Sequence, residues 1–308
     1  MDAQHLKPKE GDMLILTDGS IWVLKGCYHP LDGYVAIPRV FEGIKLKTLR
    51  KSLEVVRKYY RHFLRYVEVI GDLVPVVPLD YVVKYLDSLS FKPQETHSEL
   101  LNNALDLLEL LKGCGLTCGL SGSLLGGYSG AGSDIDLTCL EGGITTCDVY
   151  ECLKMLREEN VLKPMDLTSA LREVYEIKEL LNVDTHVTFL RGRLTQGMFK
   201  GFNYTLRVVN CGREANVLGP YDLTVKSEVL IRTLTTDYRT PSVYEVQLLK
   251  PKNPLVKRAF LHTYRVRLTE LPEGTLIYGY GRVSFKTGRD VEAVVSFDSE
   301  DSQVISVV

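Results

Sequence analysis

Residues 119–140 read GLSGSLLGGYSGAGSDIDLTCL, two short apolar runs joined by a glycine-rich connection. The second run begins at Ile135 and alternates polar with apolar residues, which is typical of a strand with one buried face. This period of two sends the side chains of Asp134 and Asp136 to one side of the strand, while Ile135 and Leu137 enter the core. The segment therefore predicts a strand, a glycine-lined loop and a second strand that carries two neighbouring acids.

The two acids call for a compensating charge. Two carboxylates in one small volume repel each other, and one tends to stay protonated unless a divalent cation or a basic partner compensates. Hard oxygen ligands of this kind favour Mg²⁺ or Mn²⁺ over zinc. We therefore interpret Asp134 and Asp136 as candidate metal ligands. The alternative is a chance Asp-x-Asp at a turn or at a solvated strand edge.

A candidate phosphate site lies just upstream of the acids. Gly122 and Ser123 follow the first apolar run, and ten residues separate Ser123 from Asp134. A helix that begins at Gly122-Ser123 would direct free N–H groups and the Ser123 hydroxyl toward phosphate oxygens. Ser133, directly before the first acid, belongs to the same candidate set. The candidate phosphate site and the candidate metal site are thus one short loop apart. Phosphoryl or nucleotidyl transfer requires such an arrangement.

The pattern Gly-Leu-Ser-Gly-Ser-x10-Asp-Ile-Asp-Leu resembles the signature of the DNA polymerase β-like nucleotidyltransferase superfamily. The resemblance covers roughly residues 100–190. It implies a polymerase β-like core, a mixed sheet with helices, in which Gly122 and Ser123 contact a nucleoside triphosphate (NTP). The resemblance also implies that Asp134 and Asp136 bind two divalent ions, either Mg²⁺ or Mn²⁺.

The family takes a third carboxylate from a later strand, and the best match here is Asp184. It stands in the apolar run at residues 182–190, which we interpret as a strand, and it would help to activate the acceptor hydroxyl. Three glutamates upstream remain alternatives for the role: Glu173, Glu176 and Glu179. The cations that follow, Arg191, Arg193 and Lys200, are candidates to hold the triphosphate, or else keep a loop soluble.

The implied reaction transfers a nucleoside monophosphate from an NTP to a hydroxyl acceptor and releases pyrophosphate. An RNA 3′ end is the first candidate acceptor, and a small molecule or a protein hydroxyl is the second. A module that binds nucleotide or RNA without turnover is the alternative of another class. The order of segments along the whole chain also resembles that of archaeal nucleotidyltransferase-domain proteins. This resemblance includes Lys25-Gly26, His29-Pro30 and residues 36–39 (AIPR).

The N-terminal part predicts short strands followed by a basic helix. Residues 13–40 contain β-rich runs separated by Asp-Gly turn signals. Apolar residues then recur at a 3-4 spacing from Leu46 to Val67, which predicts a long helix from about Gly43 to about Gly71. Residues 45–65 carry eight Lys or Arg and one acid. This basic helix is a candidate RNA surface, and an ordinary solvated face is the alternative.

The C-terminal part predicts an all-β domain. Runs after about residue 205 are short, β-branched or aromatic, and separated by Gly, Pro and Asp, which is typical of a small barrel or sandwich. One run expected as a strand is 265–268. The segment Tyr278-Gly279-Tyr280-Gly281-Arg282 is either a base-stacking site or a glycine-containing barrel strand. The fold class expected is α+β, with boundaries at 1–90, 91–205 and 206–308.

Composition supports a folded chain of more than one domain. A length of 308 residues exceeds the usual size of a single core. Charge is uneven, because residues 91–205 hold 10 Lys/Arg against 16 Asp/Glu, a net of −6, which is compatible with a divalent-metal site. Seven cysteines without a Cys-x-x-Cys pair lead us to expect reduced thiols. With no apolar run of ~18 residues and no signal sequence, a cytoplasmic protein without membrane contact is expected.

Overall fold

The protein is a mixed α+β chain in two compact units. A computed structural model describes residues 7–93, 98–141, 148–177, 183–299 and 302–308. The first unit comprises Met1–Arg65, Pro75–Lys163 and Leu194–Cys211, and the second comprises Tyr66–Val74, Pro164–Arg193 and Gly212–Val308. Both units are therefore assembled from separate stretches of chain, and the consecutive boundaries expected at 90 and 205 remain predictions.

A seven-stranded sheet forms the N-terminal part, and it includes the short strands that were predicted at residues 13–40. Its strands are β1 (Met13–Leu16), β2 (Ile21–Leu24), β3 (Gly33–Phe41), β4 (Ile44–Lys45), β5 (Leu64–Val67), β6 (Asp72–Pro78) and β7 (Val82–Leu86). They are arranged in the order β5-β6-β3-β2-β1-β7, with β4 paired to β3. Trp22 is fully buried, and its ring centre lies 5.1 Å from that of Tyr60 and 5.7 Å from that of Phe63. This aromatic cluster fixes the core of the sheet.

The long basic helix predicted from Gly43 to Gly71 is wrong in length. Helix α1 spans only Leu49–Tyr59, and a 3-10 turn at Arg61–Phe63 leads directly into β5. The chain leaves the helix at Tyr60 (φ −128°, ψ 35°), whose hydroxyl donates a hydrogen bond to Asp18. Burial of aromatic side chains in the Trp22 cluster therefore overrides the 3-4 apolar spacing. The basic residues at 61 and 65 lie outside the helix.

The central sheet has four strands and belongs to the first unit. Its strands are β8 (Thr117–Leu120), β9 (Ile135–Leu140), β10 (Gln196–Phe199) and β11 (Phe202–Val209). The same unit contains the helices α2 (Glu99–Gly113), α3 (Gly122–Gly126) and α4 (Val149–Glu158). The strand order is β10-β11-β9-β8. β9 runs antiparallel to β8 and parallel to β11. The two strands predicted from residues 119–140 are thus neighbours in this sheet, and β11 continues across residue 205.

The strand predicted at residues 182–190 is also wrong. Helices α5 (Leu167–Ile177) and α6 (Val183–Gly192) pack against each other in the second unit. Their apolar side chains form one cluster that includes Ala170, Val174, Val187 and Leu190. A short apolar run fits a buried helix face as well as a strand, and packing on α5 decides for the helix. No helix among the described residues is long and apolar enough to cross a membrane.

A closed five-stranded barrel dominates the second unit, in agreement with the all-β pattern. After the short helix α7 (Cys211–Ala215), its strands are β12 (Leu223–Thr233), β13 (Ser242–Lys250), β14 (Val256–Thr263), β15 (Leu276–Thr287) and β16 (Val291–Ser296), while β17 (Gln303–Val307) pairs with β15. The barrel closes in the order β12-β13-β14-β16-β15-β12, and β14–β16 is the parallel pair. Residues 266–268 form a 3-10 turn instead of the strand expected there.

Glycines of the barrel explain the Tyr-Gly-Tyr-Gly pattern. A Cβ on Gly279 would lie 2.3 Å from the backbone oxygen of Gln303, and one on Gly281 would lie 2.7 Å from the Phe297 ring. Only glycine fits these inward positions, because any larger residue would collide with the barrel core. The side chain of Tyr280 between them is exposed to 40%.

Three disulfides correct the expectation of reduced thiols. The pairs are Cys27–Cys211, Cys114–Cys152 and Cys118–Cys139, all within the first unit. Cys118 and Cys139 face each other across β8 and β9, with their Cα atoms 4.0 Å apart. Sequence spacing cannot reveal such pairs, because folding brings together residues that are up to 184 positions apart. Cys147 lies outside the described residues.

Thiol counting tests these pairs. Three disulfides occupy six of the seven cysteines, so protein that is purified and denatured without reductant should show about one reactive thiol per chain. After reduction the count should rise to seven. Mass spectrometry of the alkylated chain and its peptides measures both values and identifies the partners. Seven reactive thiols before reduction would show that the bridges do not form.

Candidate functional site

Gly122 and Asp136 are in direct contact, which joins the two halves of the predicted motif. The backbone N–H of Ser121 donates to the carbonyl of Asp136 at 2.9 Å. α3 begins at Gly122, as predicted, and Gly122 has a positive φ of 56°. A Cβ at this position would lie 2.0 Å from Asp136 Oδ2. The absence of a side chain at Gly122 is therefore what lets the carboxylate lie against the backbone at the start of α3.

The alternation predicted for the acids is confirmed in the burial of β9. Ile135 and Leu137 are both fully buried, whereas the side chain of Asp136 is 24% exposed. Asp134 is exposed and directly precedes the strand. Both acids therefore point away from the core, and Asp136 is the more enclosed of the two.

Arg207 is the basic partner of Asp136. Its Nη1 atom lies 3.1 Å from Asp136 Oδ1. Arg207 comes from β11, where Thr205 pairs with Asp136 and Arg207 with Thr138. Burial alone would lower the pKa of Arg207, but the charges of Asp136 and Glu10 and the hydrogen bond to Asp136 hold that pKa above its usual value. Arg207 therefore carries a full positive charge beside the candidate metal ligand.

The N-terminal segment covers the same face of the central sheet. The Ser121 hydroxyl donates to the carbonyl of Gly11 at 2.8 Å, and a Cβ on Gly11 would lie 2.3 Å from the Thr138 hydroxyl oxygen. Glu10 is fully buried and accepts hydrogen bonds from Lys25 Nζ at 2.7 Å and from the N–H of Gly26 at 2.8 Å. The site is thus built from the N-terminal sheet and the central sheet together.

Tyr128, from the glycine-rich connection, adds an aromatic ring to the site. Burial and the charge of Asp136 raise the pKa of its phenol, while a hydrogen bond with Arg39 and the charge of Arg207 lower it, and the net shift is upward. Lys45 Nζ lies 5.6 Å from the centre of the ring. Tyr128 therefore remains a neutral hydrogen-bonding group among three cations.

The three cations expected to hold phosphate make contacts of their own. Lys200 is exposed and pairs with Asp106 at 2.6 Å. Arg191 donates from Nε to the carbonyl of Met165 at 3.1 Å, and Arg193 is buried to 1% exposure and donates to the carbonyl of Arg267. None of these contacts involves a residue of the motif. The cations beside Tyr128 are instead Arg39, Arg207 and Lys45, and Arg207 also pairs with Asp136.

Asp184 does not occupy the strand position that was predicted for a third carboxylate. It lies in the first turn of α6, is exposed, and belongs to the second unit. Glu173 lies on α5 in the same unit. The side chain of Glu176 and all of Glu179 lie outside the described residues. The strand that runs parallel beside β9 is β11, whose sequence FNYTLRVV contains no acid.

The two serines of the motif have local roles. Ser123 is buried to 3% exposure, and its carbonyl accepts a hydrogen bond from the N–H of Tyr128 at 3.0 Å. Ser133 closes the glycine-rich turn, because its hydroxyl accepts from the N–H of Gly130 at 3.0 Å. α3 has only five residues, so its individual backbone groups, and not a long helix dipole, are available to a phosphate.

Asp134 and Asp136 are the two acids of the motif that could hold Mg²⁺. Mg²⁺ is usually held by one or two carboxylates and completes its shell with water and substrate phosphates. Asp134 and Asp136 satisfy that pattern. Within the described ranges, no group of three or more His, Cys, Asp or Glu side chains is arranged to hold a metal ion.

Sequence reasoning missed Arg207 and Glu10 and did not assign Arg39 to the site. Arg39 stands in the AIPR segment that carried the archaeal resemblance, so a signal for it existed. Arg207 alternates with buried apolar residues on β11, as Asp136 does on β9, but only the parallel register brings the two together. Glu10 gives no signal in the sequence, because its burial depends on a contact with residues 25 and 26.

Comparisons with known proteins add no relative: no family model, curated protein or solved structure matches the chain.

Two glycine variants test the contact between α3 and Asp136. Gly122 and Gly127 both have positive φ values, 56° and 71°, but a Cβ on Gly127 would meet nothing within 4 Å. Gly127→Ala should lower the free energy of unfolding by about 1–2 kcal/mol, the cost of the left-handed backbone. Gly122→Ala should cost distinctly more, because its methyl group must also displace Asp136. Urea denaturation followed by circular dichroism measures both, and equal costs would contradict the contact.

Proposed function

We propose that the protein is a metal-dependent nucleotidyltransferase that moves a nucleoside monophosphate from an NTP to a hydroxyl acceptor and releases pyrophosphate. The observation that carries the proposal is the contact between the Gly122 backbone and the Asp136 carboxylate. It brings the backbone proposed to hold phosphate and a proposed metal ligand to one point, as the Gly-Ser and Asp-x-Asp resemblance implies. An RNA 3′ end is the first candidate acceptor.

In the proposed reaction the residues of this chain bind and orient the triphosphate. Asp134 and Asp136 would hold Mg²⁺, which supplies charge neutralisation and polarisation of a phosphoryl oxygen. Arg207 and Arg39 provide fixed positive charge, which is well suited to phosphate because a guanidinium can donate two hydrogen bonds in one plane. For Arg207 to reach a phosphate, part of its interaction with Asp136 must be exchanged for one between Asp136 and the cation. A polymerase β-like core and a role for Asp184 remain parts of the proposal.

A second candidate is a module that binds nucleotide without turnover. It is favoured by the contact between Arg207 and Asp136, and by the lack of an acid on β11, where a third carboxylate would lie beside β9. The partly buried guanidinium of Arg207 already pairs with one of the proposed metal ligands. If Arg207 stays in place, Asp136 cannot serve a cation fully and the site binds phosphate by its arginines alone.

A charge-removing variant with the shape of the native residue tests catalysis. Asp136→Asn should reduce pyrophosphate release from labelled NTPs in the presence of Mg²⁺ or Mn²⁺ and total cellular RNA by at least about 10²-fold, as expected for loss of an electrostatic contact with the transition state. Glu109→Gln, an exposed acid on α2 in the same unit, is the matched control and should retain activity.

The two candidates give different results in that assay. Turnover that survives Asp136→Asn would dismiss the catalytic site. Wild-type protein that binds NTP, measured by equilibrium dialysis, but releases no pyrophosphate with RNA, protein or small-molecule fractions would favour the binding module. In that case Arg207→Gln should weaken NTP binding, whereas Asp136→Asn should not.

We also propose that the protein works in the cytoplasm. Disulfides are rare in most cytosolic proteins, but intracellular proteins of hyperthermophilic archaea are rich in them. The resemblance to archaeal proteins makes the three bridges compatible with this compartment.

A further inference from the structure

The barrel of the second unit has an outer region of exposed side chains on the hairpin of β13 and β14. Three outward positions on β15 and β16 are covered, because Arg282, Ser284 and Val294 have exposures of only 5%, 1% and 3%. The hairpin of β13 and β14 carries exposed side chains instead. We call this surface the hairpin face, and define it by Gln247, Lys250, Lys252, Leu255, Lys257, Arg258 and the partly exposed Phe260.

The hairpin face is cationic. Four of its seven residues are Lys or Arg, and none is an acid. Arg258 is 58% exposed and pairs with Glu245 at 2.9 Å and with Glu292 at 3.5 Å, while Lys250 pairs with Glu228. Ion pairs this exposed contribute little stability, so these cations can exchange a carboxylate for a phosphate at low cost. Lys252 and Lys257 are exposed at the ends of the hairpin loop.

Planar and apolar groups lie among these cations. The guanidinium carbon of Arg258 lies 5.0 Å from the ring centre of Phe260. Leu255, at the tip of the hairpin, is 66% exposed. A guanidinium beside an aromatic ring offers a stacking platform for nucleobases, which every base can use through its π face. A polyanion without planar groups, such as an acidic peptide, would use the cations alone.

The position of the hairpin in the barrel agrees with this chemistry. β13 and β14 are the second and third strands of the five-stranded barrel. Greek-key barrels of the oligonucleotide-binding class bind their ligands on the outer face of strands two and three, beside the loops that join strands one to two and four to five. Here those loops contribute Tyr238 with Arg239, whose guanidinium lies 4.4 Å from the tyrosine ring centre, and Arg289.

We propose that the hairpin face binds single-stranded nucleic acid. Lys250, Lys252 and Lys257 contact successive phosphates, and a base stacks on the Arg258–Phe260 pair. Binding here uses no residue of the Asp134–Asp136 motif. The surface therefore goes beyond nucleotide transfer, and it would hold an RNA acceptor if the proposed reaction has one.

Fluorescence anisotropy of the full-length chain with labelled probes tests the proposal. The single-stranded probes are 15-nucleotide oligo(U) and oligo(dT), and the comparison probes are an RNA duplex of the same length and poly-glutamate. Oligo(U) or oligo(dT) should bind more tightly than the duplex and poly-glutamate, and the difference between the first two identifies RNA or DNA as the preferred strand. Comparable binding of the duplex or of poly-glutamate would overturn the role of base stacking, and no binding of either single strand would overturn the proposal.

Charge and stacking variants locate the surface. Lys252→Glu/Lys257→Glu should weaken single-strand binding at least tenfold and reduce the slope of log affinity against log salt by at least about 1.4, since each phosphate contact contributes about 0.7. Phe260→Leu should weaken binding at least about fivefold and leave the salt slope unchanged. The control Lys112→Glu/Lys154→Glu changes two exposed lysines on α2 and α4 of the first unit. Equal loss in the control would overturn the assignment.

Asp136→Asn separates this surface from the proposed reaction. Its oligonucleotide affinity should equal that of the wild-type protein, whether or not the wild type releases pyrophosphate. A matching loss of oligonucleotide binding in Asp136→Asn would show that the strand is bound at the motif, and would overturn the hairpin face.

Discussion

The Asp136 carboxylate, held between the backbone of Gly122 and the guanidinium of Arg207, is the constraint on which the site depends. Three strands meet to produce it: β8 leads into Gly122, β9 carries Asp136, and β11 carries Arg207. A shift of one residue in the pairing of β9 would turn Asp136 into the core and expose Ile135 and Leu137. The apolar core of the central sheet and the chemistry of the site therefore depend on the same register.

Competition for Asp136 decides what this arrangement can do. Paired acids on one strand face need a compensating positive charge, and the structure supplies it for Asp136 as an arginine on the neighbouring strand. An arginine beside a metal ligand serves two purposes in principle, because it can bind phosphate and can also occupy the carboxylate when no phosphate is near. In the proposed reaction, Asp136 would exchange its contact with Arg207 for one with Mg²⁺, and Arg207 would exchange its contact with Asp136 for one with a phosphate of the triphosphate. The free energy of that exchange determines whether the protein acts as an enzyme or only binds nucleotide.

The sequence predicted the local parts of the site but not the parts that depend on tertiary register. Gly122, Ser123 and the acids of β9 could be placed because spacing, glycines and alternation act within twenty residues. Arg207 could not, since strand pairing at a distance of 71 positions is invisible in a single chain. The same limit explains the errors. The helix after Gly43 ends early because Tyr60 enters an aromatic cluster, and the apolar run around Asp184 becomes a helix because it packs on α5.

The longest disulfide links the two regions from which the site is built. Cys27 follows β2 and the Lys25-Gly26 pair that holds Glu10, while Cys211 follows β11, which carries Arg207. In a chain-entropy estimate, closing 184 residues stabilises the fold by about 5 kcal/mol, against about 3–4 kcal/mol for the bridges that span 38 and 21 residues. Glu10 and Arg207 attract each other across these regions, and that attraction is strong only at short range. Because the bridge restricts the separation of the two regions, it favours the geometry in which the charges of both Glu10 and Asp136 act on Arg207.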